Sequence, residues 1–154
     1  VKEGFEVIHS IYKMWKNTEK SLFFPCIPEY FNGDGRARYS YITGSAAWTV
    51  MTLLLEMFGI RGILGNLSFN PKLLAKQFDA NNEISVQTLF QGKKIIVTYK
   101  NPEKLSYGQY KIGMIFCQDK ELSFKMDQDI PFIEKEILNQ FSEPLNLKIE
   151  LIKK

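Results

Sequence analysis

The sequence predicts an α+β chain in which two helices are followed by an antiparallel β-sandwich. Three observations carry this. Apolar residues recur at three and four positions in the first third of the chain, alternate with polar ones after Gly65, and are separated by proline and glycine clusters where the period changes.

Composition narrows the class first. A chain of 154 residues with 45% hydrophobic and 24% charged residues can bury a core, which excludes disorder. Twenty Lys and Arg against seventeen Asp and Glu leave +3, spread along the chain, so no nucleic-acid partner is expected. Cys26 and Cys117 form no CxxC pair and His9 is the one histidine, so neither zinc nor any other metal is expected, and the cysteines read as structural thiols. Val1-Lys2-Glu3-Gly4 does not open a signal peptide, and Ala46 to Leu55 is too short to span a bilayer, which takes about 20 residues. The expectation is a soluble, cytoplasmic protein without a membrane partner.

The first helix is predicted over Lys2–Lys16, because Phe5, Ile8, Ile11, Tyr12 and Trp15 share one face. Pro25 and Pro28 then break the chain. Asn32-Gly33-Asp34-Gly35 is a turn cluster leading into Arg36 and Arg38, and the stretch reads as an exposed loop. The second helix is predicted from Gly44 to Phe58, with Gly59 as its left-handed cap. Its apolar residues, from Trp48 to Phe58, cover nearly the whole circumference. A helix of that kind is surrounded by protein.

Strands are predicted over Ile84–Phe90, Lys94–Lys100, Tyr110–Cys117, Leu122–Met126 and Leu145–Ile152, with short hairpin connections between the early ones. Ile133 to Phe141 fits a strand or a short helix equally well. Lys93-Lys94 and Lys153-Lys154 read as solvated charges that discourage edge pairing.

The segment YSYITGSAAWTV, Tyr39 to Val50, opens the second helix with Thr43-Gly44-Ser45. The first N–H groups of a helix lack internal partners and carry the positive end of its dipole, so Thr43 or Ser45 can serve as an ordinary cap. No acidic residue follows in the first turn, and Gly44 lets an anion approach the backbone. The same residues can therefore hold a phosphate, with charge from Arg36 or Arg38 if the loop folds back.

Taken whole, PCIPEYFNGDGRARYSYITGSAAWTVMTLLLEMFGIRGILGNLSFNPKLL, Pro25 to Leu74, closely resembles the C-terminal part of glycoside hydrolase family 94, the inverting cellobiose-type phosphorylases once classed as a glycosyltransferase family. A looser likeness continues through Gly92 to Ile112. The resemblance implies residues 1–64 as the end of an α/α six-hairpin toroid and 65–154 as its jelly-roll-like C-terminal β-sandwich. It implies phosphorolysis of a β-linked sugar to a sugar 1-phosphate, with inorganic phosphate as co-substrate, no cofactor, and Thr43 and Gly44 as phosphate-binding residues. Ser45, Arg36 and Arg38 are further candidates for phosphate or substrate contact.

In that family the general acid, an aspartic acid, lies upstream of the triplet, as do most sugar contacts. The resemblance thus implies a C-terminal fragment, inactive alone, whose partners are the rest of the parent catalytic domain and a sugar substrate. Related phosphorylases are often dimers, which leaves a homodimer open. Two other readings compete: a non-catalytic carbohydrate-binding or interaction sandwich, and an inverting glycosidase on the same fold.

Other candidates have plainer readings. Glu29 and Asp34 could pair as glycosidase carboxylates, but read better as a loop group and a turn residue. Tyr30, Phe31, Tyr39 and Tyr41 could stack on sugars, with core packing the preferred reading. His9 lies on or beside the polar face of the first helix, and no Gly-x-Ser-x-Gly elbow exists, which rejects a Ser-His-Asp hydrolase.

Overall fold

The computed structural model describes residues 1–39 and 44–154. The chain forms two compact units, Val1–Leu53 and Leu54–Lys154.

The first unit opens with α1, Lys2–Lys16, where it was expected, followed by one turn of α2, Thr18–Ser21. Asn17 starts that turn by accepting the Lys20 N–H at 3.2 Å. A small hairpin follows, with β1 (Tyr30–Phe31) antiparallel to β2 (Ala37–Arg38). Its loop closes through Asn32 N–H to Arg36 O at 2.8 Å and Arg36 N–H to Asp34 Oδ1 at 3.1 Å, so Asp34 is a turn residue as read. The unit ends in α3, Gly44–Met51.

This unit has almost no core of its own. Among its described residues only Ser21, Pro28 and Ala37 are buried. Phe5, His9, Tyr12, Trp15 and Phe24 form a ladder of rings with successive centroids 5.5, 6.5, 5.9 and 5.0 Å apart. His9 is therefore part of the aromatic face rather than the polar one. Val7, Ile11 and Met14 are exposed on another side of α1. At 100° per residue the apolar arc of this helix, with His9, sweeps roughly 220°.

Continuing from α3, the chain widens into a π-helical turn, Thr52–Met57, where an α-helix to Phe58 was expected. Its last carbonyls find distant partners: Met57 O accepts Lys72 N–H at 2.9 Å, and Phe58 O accepts the Tyr99 hydroxyl at 2.6 Å. Gly59 has φ +65, the left-handed value expected of it. A Cβ there would lie 2.1 Å from the Asn70 backbone.

The second unit holds a four-stranded and a five-stranded sheet. The first has the order β3 (Ile60–Ile63), β4 (Asn66–Phe69), β10 (Ile130–Ile133), β9 (Lys125–Asp127). The second runs β5 (Glu83–Phe90), β6 (Lys93–Lys100), β11 (Leu145–Lys153), β7 (Tyr110–Cys117), β8 (Lys120–Glu121). Two-residue turns at Leu64-Gly65, Gln91-Gly92, Gln118-Asp119 and Gln128-Asp129 have positive φ at both positions. Such turns match the twist of the strands they join.

Leu67, Phe69 and Ile133 from one sheet meet Ile95, Val97, Tyr99, Ile115, Leu147 and Ile149 from the other in a single core. The α+β class and the sandwich expectation hold at this level. Two details differ. The pairing of β11 with β6 is parallel, Leu145 opposite Ile95 through Glu150 opposite Lys100, whereas its pairing with β7 is antiparallel. Strand β11 enters after α4, Lys135–Leu138, and not through a hairpin, so no tight turn dictates its direction. Of the strand expected over Leu122–Met126 only Lys125 and Met126 are strand, in β9; residues 122–124 run between β8 of one sheet and β9 of the other, with Leu122 buried.

The ambiguous segment from Ile133 resolves into the end of β10 and then α4. The units divide earlier than the boundary after residue 64 read from the sequence. Ile60–Ile63 pairs with Asn66–Phe69, which commits it to the sandwich. Among the described residues no helix is long and apolar enough to cross a membrane.

Two phenols tie loops to this core. Tyr110 Oη accepts Leu73 N–H at 2.8 Å and donates to Pro71 O at 2.9 Å, and Tyr99 Oη donates to Phe58 O. Burial pushes both phenols above their usual range, so they stay neutral donors. At the surface of the same unit Glu56 pairs with Lys72 Nζ at 2.6 Å and with Arg61. The Lys72 hydrogen bond, with the charges of Lys72 and Arg61, holds its carboxyl below the usual value.

Gly59→Ala is expected to destabilise the sandwich by at least about 3 kcal/mol in urea unfolding, since a methyl group must displace backbone at a positive φ. Glu56 has a folded-state pKa below its unfolded one, so its contribution is present above about pH 4.5 and is lost as pH falls through the lowered value. Being half exposed, the pair is worth less than about 1 kcal/mol after solvent screening. Glu56→Gln should therefore slightly flatten the acid limb of the stability–pH profile and leave its neutral slope unchanged.

Candidate functional site

The β1–β2 hairpin places side chains from a loop and two short strands around one cleft. Its volume is about 510 Å³, and Phe23, Tyr30, Asn32, Arg36, Arg38 and Tyr39 line it. Arg36 and Arg38 flank the buried Ala37, and both line this cleft. With its amide oxygen turned toward Arg38, Asn32 accepts from Nη2 at 3.1 Å and Nε at 3.2 Å. Arg38 is thereby held in a fixed pose. The Arg36 guanidinium makes no hydrogen bond or ion pair among the described residues.

Tyr30 and Tyr39 stand with ring centroids 5.7 Å apart and remain 48% and 59% exposed, which overturns the core-packing reading for these two. Tyr39 has φ +57. A side-chain-bearing residue held there costs on the order of 1 kcal/mol or more, and such residues cluster at ligand sites. Phe31 is half-buried opposite Ala37 and lines no part of the cleft.

The start of α3 lies within the same unit. Gly44 is exposed, and an added Cβ there would meet nothing within 4 Å. Gly44 thus brings no side chain to the helix start. Thr43 and Tyr41 lie outside the described residues. Ser45 donates from Oγ to Glu29 Oε1 at 3.3 Å, and Thr49 Oγ1 donates to Ser45 O at 2.8 Å.

The Glu29 contact corrects one expectation. The sequence shows no acid in the first helical turn, but the fold brings one from sixteen residues away. Glu29 is fixed by its own backbone, whose N–H is shared between Arg38 O at 3.0 Å and Tyr39 O at 3.2 Å. The helix start thus faces a carboxylate as well as open backbone. The structure joins Arg38, Glu29 and Ser45 through these bonds. It does not join either guanidinium to Gly44 or Ser45 by a hydrogen bond among the described residues.

Sequence reasoning missed Asn32 and Phe23 as cleft residues. Asn32 carried only a turn signal, and Phe23 carried none. Chemically, the cleft offers two cationic forks, one amide and two exposed phenol rings. That set suits an oxyanion or a polyhydroxylated ligand with apolar ring faces. No cluster of three or more potential metal-ligating side chains occurs among the described residues. No protein-family profile matches this chain, and no curated protein sequence does either.

Proposed function

We propose that this chain supplies part of the phosphate site, and the C-terminal β-sandwich, of an inverting glycoside phosphorylase. The cleft of Arg36, Arg38, Asn32, Tyr30 and Tyr39 carries the reading, because it sets anion-binding forks and sugar-sized ring faces in the unit that also contains the Gly44 helix start. In the proposed reaction a phosphate oxygen attacks the anomeric carbon as the glycosidic C–O bond breaks. The departing oxygen takes a proton from an acid contributed by the rest of the parent catalytic domain. The products are a sugar 1-phosphate of inverted configuration and a free sugar.

In this reading Thr43 and Gly44 cradle the phosphate, while Ser45, Arg36 and Arg38 contact phosphate or sugar. Inorganic phosphate is the co-substrate, and no cofactor takes part. Glu29 opposes a fully ionised phosphate at the helix start, and accepts well from a protonated phosphate oxygen or a sugar hydroxyl. The shortage of buried residues in the helical unit supports the need for surrounding helices. Trp48 is 67% exposed, with Val50 and Met51 also uncovered, as befits part of a toroid. The chain alone is expected to be inactive.

The test is sugar release by the intact parent protein from a panel of β-glucosides, with and without phosphate. Release of a sugar 1-phosphate only when phosphate is present is expected; equal release in its absence assigns a hydrolase instead, and none under either condition leaves a binding module. Thr43→Val should raise the KM for phosphate at least about tenfold with folding intact, since it removes a donor to a charged oxygen. Glu29→Gln should lower that KM by about two- to fivefold, the scale of one charge at a helix end. An unchanged value would mean that the Glu29 carboxylate does not face the phosphate.

A further inference from the structure

The five-stranded sheet has β5 at one edge, Glu83–Phe90, with the sequence EISVQTLF. Edges of this length are normally guarded by lysine, proline or a bulge. Strand β5 has none of these, and its eight pairs with β6 run without a register shift. Lys93 and Lys94, which the sequence suggested as guards, lie on β6 inside the sheet, and Lys153 lies on β11, also inside.

The turn at Gln91-Gly92 decides which backbone groups are open. A two-residue turn makes its flanking residues, Phe90 and Lys93, a hydrogen-bonded pair, so Phe90, Thr88, Val86 and Ile84 bond inward to β6. The N–H and C=O groups of Ser85, Gln87 and Leu89 then point outward. Glu83, of the same parity, corroborates this: its N–H goes to Asp79 Oδ1 at 2.9 Å and its C=O accepts Asp79 N–H at 2.9 Å, away from β6. Among the described residues no partner meets the outward groups of Ser85, Gln87 or Leu89.

We infer that β5 pairs with β5 of a second copy of this chain, antiparallel about a two-fold axis at Gln87. Two-fold symmetry requires a residue to face itself, and only a centre at Gln87 uses all three open residues. Ser85 then exchanges hydrogen bonds with Leu89 of the other copy, and Gln87 with Gln87. On the core side Ile84 comes opposite Phe90 and Val86 opposite Thr88. The three apolar members of that row are only partly buried against the core of a single chain. Glu83 is the one charge in the strand, so no like charges meet. The exposed Leu89, at 72%, gains a neighbour in Ser85.

Analytical ultracentrifugation of the chain tests this, with a mass twice that of the chain expected. Gln87→Pro removes an outward N–H without touching the β6 ladder, and should weaken association at least about tenfold while circular dichroism stays unchanged. If that variant fails to fold, Leu89→Lys, which adds a guarding charge, should weaken association in the same way. In a Cys26→Ser background, Gln87→Cys should form a disulfide-linked dimer on oxidation, because the facing Cα atoms stand about 5.5 Å apart. Ser85→Cys should link to Leu89→Cys of a mixed partner and not to itself. A monomer throughout the micromolar range, or a dimer that is insensitive to both edge variants and that Gln87→Cys does not crosslink, would overturn the inference.

Discussion

Apolar surface has to leave water, and how each part of this chain meets that demand governs the rest of its structure. In the second unit two sheets turn their inner faces together and enclose Tyr99, Phe69, Leu67 and a series of isoleucines and leucines completely. That enclosure explains the buried phenols, since loops at Phe58, Pro71 and Leu73 would otherwise leave carbonyls unsatisfied beside the core. In the first unit the same demand goes largely unmet. Twelve of the nineteen exposed large apolar residues described belong to Val1–Leu53. Burial of about 25 cal/mol per Å² gives such a surface a strong tendency to acquire protein neighbours.

The candidate site follows a second constraint, the placement of charge. Backbone N–H groups at a helix start and two guanidiniums lining one cleft both favour an anion. Glu29 works against it. A carboxylate beside several donors favours a ligand that carries a hydroxyl or a protonated oxygen over a fully ionised one. The Asn32–Arg38 pair supplies rigidity, since a guanidinium already oriented loses less freedom when a ligand arrives.

Much of the fold was legible in the chain. The bounds of α1, the strands β5, β6 and β7, the β5–β6 hairpin and the left-handed Gly59 all follow from local rules: helical or alternating periodicity, a two-residue turn, and the need for glycine at a positive φ. Less legible were the parts that depend on distant residues. The parallel entry of β11 and the break in the strand expected over Leu122–Met126, where the chain passes from one sheet to the other, are set by contacts among distant strands, and no local pattern encodes that. The π-helical end of the second helix depends on carbonyl partners at Arg61, Lys72 and Tyr99.

At the site, the sequence by itself determined the residue types: arginines two apart after a turn, aromatic neighbours, and a glycine at a helix start. Their spacing along the chain is local, so their chemistry could be read directly. Tertiary structure alone decided that Glu29 meets Ser45, that Asn32 steadies Arg38, that Tyr30 and Tyr39 face solvent, and that His9 joins a ladder of rings. It also decided that β5, and not the lysine-bearing β6, forms the edge. Each of these is a contact between elements or a strand's place in a sheet, and such contacts are fixed by the packing of the whole unit, where the periodicity of one segment has no say.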